Sequence, residues 1–101
     1  MSKMIKSSTR PFDAANYLQT EADMMDYLDA VLEDGDPALL AAALGDIARV
    51  NGMTSLARAT GLSRESLYKS LSGDRIPSAD TLFKVIQALG LKLSVSVRKA
   101  S

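Results

Sequence analysis

Met53-Thr54-Ser55-Leu56-Ala57-Arg58-Ala59-Thr60-Gly61-Leu62-Ser63-Arg64-Glu65-Ser66-Leu67-Tyr68-Lys69-Ser70-Leu71 decides the fold. Two short segments with apolar residues at helical spacing flank Gly61-Leu62-Ser63. Glycine at 61 predicts a left-handed turn conformation that a side chain would penalise. Ser63 is placed to satisfy the free N–H groups of a helix beginning at Arg64. Ala57 suits a close helix crossing, and Leu56, Leu62 and Leu67 are spaced to fill the angle between the two segments. The pattern predicts a helix-turn-helix, with helices over 54–60 and 64–72 and Gly73 closing the second.

Upstream, 20–34 reads as a helix with Thr20 as N-cap and Glu21 and Asp23 at the positive end of its dipole. Met24, Met25, Leu28, Val31 and Leu32 form its apolar stripe, and Asp23, Asp26, Asp29 and Glu33 lie off it. Gly35 ends it. Asp36-Pro37 opens the next helix as N-cap and first-turn proline. Leu40, Ala43, Leu44, Ile47 and Ala48 supply its buried face, and Asn51-Gly52 stops it. Downstream, 74–78 is a loop, Ser78 caps a last helix with Leu82, Val85, Ile86 and Leu89 inward, and Gly90 ends it. Residues 1–11 read as a flexible tail. Phe12, Ala15, Tyr17 and Leu18 form a short apolar patch expected to dock on the core.

Residues 91–98 change period. Leu91, Leu93, Val95 and Val97 alternate with Lys92, Ser94, Ser96 and Arg98, the pattern of a half-buried strand. A lone strand cannot satisfy its backbone donors and acceptors. The expected partner is the same strand of a second copy, in a homodimer closed by an antiparallel ribbon; the alternative is a frayed tail on the helices. The expected fold is all-α, with five helices and this short C-terminal strand. It divides into a tail (1–11), an acidic helical extension (12–36), a helix-turn-helix domain (37–90) and a dimerisation strand (91–98).

The 101 residues are 47 % hydrophobic and 24 % charged, enough for one core and too apolar for a globally disordered chain. With no cysteine and no histidine, disulfides, Cys/His zinc sites and imidazole or thiol catalysis are excluded. No nucleophile–base set is present, so the chain does not read as an enzyme, and no metal or cofactor is expected. No apolar run approaches the roughly 20 residues that span a bilayer, and the N-terminus lacks an apolar secretion segment, so the expected compartment is the cytoplasm. The net charge of zero conceals a split: residues 1–50 sum to −5 and residues 51–101 to +5. A basic half suits a phosphate-bearing partner, and an acidic half suits a basic one.

The helix-turn-helix stretch resembles the Xre or phage-repressor family, whose pattern is Leu-Ala, three residues, Gly-apolar-Ser, three residues, apolar. Gly73, Pro77, Thr81-Leu82 and Ala88-Leu89-Gly90-Leu91 extend the likeness. The resemblance implies that 64–71 is a recognition helix entering the DNA major groove. Arg64, Glu65, Ser66, Tyr68 and Lys69 would face bases, with Arg64 suited to guanine and Glu65 either accepting from cytosine or pairing with Lys69. Thr54, Ser55, Ser63, Lys69, Ser72 and Arg75 would contact phosphates, although Thr54 equally suits a helix cap and Arg75 a solvated loop.

A narrower likeness covers about residues 12–97. Phe12-Asp13-Ala14-Ala15, Tyr17-Leu18, Tyr27-Leu28, Leu32-Glu33-Asp34-Gly35-Asp36-Pro37, Ala43-Leu44-Gly45-Asp46-Ile47-Ala48-Arg49 and the Leu67-Tyr68-Lys69 run are similar to addiction-module antidote proteins, the HigA-like antitoxins of type II toxin–antitoxin systems. That resemblance implies a RelE/ParE-superfamily toxin as partner and double-stranded operator DNA as ligand. Asp23, Asp26, Asp29 and Glu33 would face the basic toxin, unless they are only a solvated face. The alternative is a stand-alone Xre-type repressor without a toxin.

Overall fold

The computed structural model of the protein describes residues 17–98, which form five helices and no strand among them. Helix α1 spans Glu21–Asp34. Thr20 caps it reciprocally: its hydroxyl accepts from the Asp23 amide at 3.0 Å, and the Asp23 carboxylate accepts from the Thr20 amide at 3.1 Å. Helix α2 spans Pro37–Asn51, with the Asp36 carboxylate accepting from Ala38 and Leu39. Helices α3 (Met53–Thr60), α4 (Arg64–Ser70) and α5 (Ala79–Ala88) follow. The Ser63 and Ser78 hydroxyls accept from the Ser66 and Thr81 amides as expected of N-caps.

The core is assembled around α2. Leu44 and Ala48 of α2 meet Met53 and Leu56 of α3, Leu67 and Leu71 at α4, and Val85 and Ile86 of α5. Leu62, Leu82 and Leu89 are partly buried against this cluster, as their placement in the pattern required. Helix α1 packs on α2, and Leu18, Val31, Ala43 and Ile47 are buried as well. The expected docking of the pre-helix patch is realised at Leu18, which is fully buried; Phe12, Ala15 and the 1–11 tail lie outside the described residues. A polar tie crosses the α1–α2 seam. The Tyr27 hydroxyl donates to the Asp46 carboxylate at 2.7 Å, and Arg49 pairs with the same carboxylate at 3.1 Å. A buried carboxylate is tolerable only when so satisfied. The Tyr17 ring meets Tyr27 edge to face, centroids 6.0 Å apart.

Two expectations about the elements need correction. Met25 and Leu32 were expected on the apolar stripe of the first helix, but they are exposed, at 59 % and 40 %. Both sit on one flank of the stripe, about 100° from the side centred on Met24 and Val31, which is the side turned to α2. The second correction concerns residues 91–98, Leu91, Leu93, Val95 and Val97 included. They form no strand within the chain, because no other described segment offers an extended edge to pair with. The segment is tied to the helices at its two ends, where the Leu91 amide donates to the Ile86 carbonyl and the Arg98 guanidinium donates to the Glu33 carboxylate of α1 at 3.1 Å.

Candidate functional site

The α3–turn–α4 unit is held by its own backbone and by two hydroxyls. Gly61 adopts φ +77°, with its amide on the Ala57 carbonyl. Thr60 donates its hydroxyl to the Leu56 carbonyl at 2.9 Å and accepts from the Leu62 amide at 3.2 Å, so it staples both sides of the turn. Sequence reasoning missed Thr60; its position just before the glycine was the available signal. The unit is then fixed to the molecule through buried Leu56, Leu67 and Leu71.

This anchoring leaves Ser63, Arg64, Glu65, Ser66, Tyr68 and Lys69 exposed together on one surface. The Arg64 guanidinium lies 6.0 Å from the centre of the Tyr68 ring, within cation–π range. Lys69 Nζ lies 3.9 Å from Glu65 Oε2, so the pairing foreseen between them is made, as a weak solvent-exposed bridge. The N-terminus of α3 carries no side-chain cap, its N-cap being Gly52. Thr54 is therefore not a cap, and Thr54 and Ser55 are exposed on the first turn.

Beyond α4, a shallow open groove of about 330 Å³ is lined by Tyr68, Lys69, Ser72, Asp74 and Arg75. It brings three of the expected phosphate contacts together. Ser72, however, donates its hydroxyl to the Lys69 carbonyl and accepts from the Asp74 amide, each at 3.1 Å. Its hydrogen is thus engaged within the turn, which also explains why α4 stops at Ser70 and not at 72. Arg58, Arg64 and Arg75 form no ion pair among the described residues.

The acidic residues of α1 do not form one equivalent set. Asp23 serves the N-cap, accepting from the Gln19 and Thr20 amides. Glu33 holds Arg98 at 3.1 Å, a pair 65 residues apart in the chain. Asp26 and Asp29 are exposed and without a partner among the described residues. Helix α1 has no basic residue, and exposed Met25 and Leu32 share its outer side with Asp29. No group of side chains suited to a metal ion occurs among the described residues, and no described helix is long and apolar enough to cross a membrane.

The described residues thus form a small helical protein with one acidic helix, α1, and a helix pair, α3–α4, that carries Arg58, Arg64 and Lys69 exposed. The family models place it more closely. Residues 8–97 match the model described as probable addiction module antidote protein, and the chain belongs to that family. An antidote implies a toxin as partner. The chain is also 43 % identical over 86 residues to an uncharacterised protein of Haemophilus influenzae, covering 85 % of this chain and 89 % of that one. No solved structure matches it.

Proposed function

We propose that this antidote is a type II antitoxin that neutralises a RelE/ParE-superfamily toxin and represses its own operon by sequence-specific DNA binding. The observation that carries the reading is the family match over 8–97, which takes in both the acidic helix and the α3–α4 surface. In the DNA mode, α4 enters the major groove, Arg64, Glu65, Ser66, Tyr68 and Lys69 meet base edges, and Thr54, Ser55, Ser63 and Arg75 meet phosphates. Ser72 acts indirectly, ordering the turn before Arg75. In the toxin mode, α1 presents Asp26 and Asp29 with Met25 and Leu32 beside them. Asp23 steadies the start of the helix, and Glu33 joins the contact by exchanging Arg98 for a toxin cation. Complementary charge speeds encounter and fixes orientation more than it adds affinity.

The test is co-expression with the product of the adjacent reading frame. A stable complex whose other member arrests growth when produced alone supports the antitoxin. Absence of a complex, with salt-sensitive binding to the upstream DNA, leaves a stand-alone Xre-type repressor and removes the toxin.

The same proposal includes a homodimer paired through residues 91–98. Val95 and Val97 are 99 % and 93 % exposed, and residues 92–98 make no backbone–backbone hydrogen bond among the described residues. Addition of a second copy's strand satisfies both. Full-length protein is expected to run as a dimer in light scattering, and a chain ending at Gly90 as a folded monomer. A dimer that survives the truncation removes the ribbon. A dimer also predicts half-sites about 34 Å apart.

A further inference from the structure

Helix α4 displays a carboxylate where a DNA-facing helix can least accommodate one. Leu67 and Leu71 are buried and define the inward direction of the helix. With about 100° between successive residues, Glu65 and Lys69 fall roughly opposite to them, at the centre of the outward face. Arg64 and Tyr68 stand to one side and Ser66 to the other. The Glu65 side chain is 83 % exposed, and among the described residues only Lys69, at 3.9 Å, offsets it. A charge at the rim could avoid the phosphates, whereas one at the centre must meet whatever base pair is opposite.

We infer that Glu65 is the residue that sets sequence discrimination by excluding wrong sites rather than by adding affinity; this rests on the DNA-binding reading above. The chemistry is asymmetric. In the major groove, guanine presents N7 and O6 and thymine O4, all acceptors that repel a carboxylate. Only the exocyclic amino groups of cytosine and adenine can donate to it, and adenine adds the N7 acceptor alongside, so cytosine is the better match. At guanine and thymine the carboxylate loses its hydration without gaining a donor, and at adenine it gains one only beside the repelling N7, which raises the cost of non-cognate binding. Lys69 has a matching part: it shields Glu65 in the free protein and is released to a neighbouring base edge once a cytosine amino group has taken its place.

The experiment uses the full chain as wild type, Glu65→Gln and Glu65→Ala. Each is used to enrich duplexes from a random-sequence pool. Dissociation constants are then measured for the wild-type-enriched duplex and for the unselected pool at fixed salt. Both variants are expected to bind the unselected pool about fivefold more tightly. Their preference for the enriched duplex is expected to fall about tenfold, with one cytosine per half-site becoming degenerate in the sequences they enrich. An unchanged preference in both variants overturns the inference while leaving DNA binding intact, as does a wild type that binds every duplex equally. A wild type that binds no duplex at low salt overturns the DNA-binding reading itself.

Discussion

Gly45→Ala is expected to destabilise the fold by about 2 kcal/mol or more, although the same exchange in an open helix would stabilise it. Gly45 lies within α2, where alanine is normally favoured by about 1 kcal/mol. Here a Cβ would stand 2.5 Å from the Leu71 carbonyl oxygen and 3.2 Å from the Leu71 Cβ. The obstacle is backbone, so rotamer change cannot relieve it. Either α2 or the end of α4 must move, and both carry the central core cluster. Overpacking of this kind costs about 1–3 kcal/mol and can cost more when backbone is displaced, which outweighs the propensity gain. Gly61→Ala provides the comparison, since no atom lies within 4 Å of a Cβ there and only the φ of +77° is penalised, by about 1 kcal/mol. Denaturant midpoints should therefore fall further for Gly45→Ala than for Gly61→Ala. Equal or reversed shifts would mean that the α2–Leu71 approach is looser than described.

Gly45 also marks the boundary of what the amino-acid sequence makes legible. Helix starts were readable because caps are local: Thr20, Asp36, Ser63 and Ser78 each sit within three residues of the amide they satisfy. The inward faces of α2 and α5 were readable because nearly every apolar residue on them repeats at helical spacing. Close approach between α2 and Leu71 depends on two elements 26 positions apart in the chain, and no local pattern announces it. Separation along the chain, 65 and 19 positions, likewise hid the Glu33–Arg98 pair and the Tyr27–Asp46 bond. Met25 and Leu32 were assigned inward because an apolar stripe has no visible edge until its neighbour is placed. Within the candidate site, exposure of Arg64 through Ser66 followed from Leu67 being the inward residue. The spending of Asp23 on a cap and of the Ser72 hydroxyl on a turn did not, since both residue types serve surface and backbone equally well. The alternation over 91–98 is legible as a pattern, but alternation names a need for a partner and not its source.

Arg64→Ala is expected to weaken binding to a selected duplex by about 100-fold in a dimer, while leaving the fold's stability within about 0.5 kcal/mol of wild type. The asymmetry follows from where the side chain sits. Arg64 is exposed, takes no part in the core and forms no ion pair among the described residues, so its loss leaves nothing buried unsatisfied. Its guanidinium lies 6.0 Å from the centre of the Tyr68 ring, a contact that favours this placement of the side chain by about 0.5–1 kcal/mol before any ligand arrives. An arginine otherwise loses about 2 kcal/mol of rotamer freedom on being fixed, so prior ordering leaves more of a bidentate guanine contact as net affinity. Such a contact contributes about 1–3 kcal/mol of discrimination, and in the proposed homodimer it is made twice. Arg75 supplies the contrast. It lines the groove beyond α4, outside the helix proposed to enter the major groove, and Arg75→Ala should weaken all duplexes alike and reduce the salt slope by about 1 per contact. Measuring both variants against the selected duplex and the unselected pool separates reading from holding. If Arg64→Ala weakens both duplexes by the same factor, Arg64 is a phosphate contact, and base recognition must shift toward Ser66 and Tyr68.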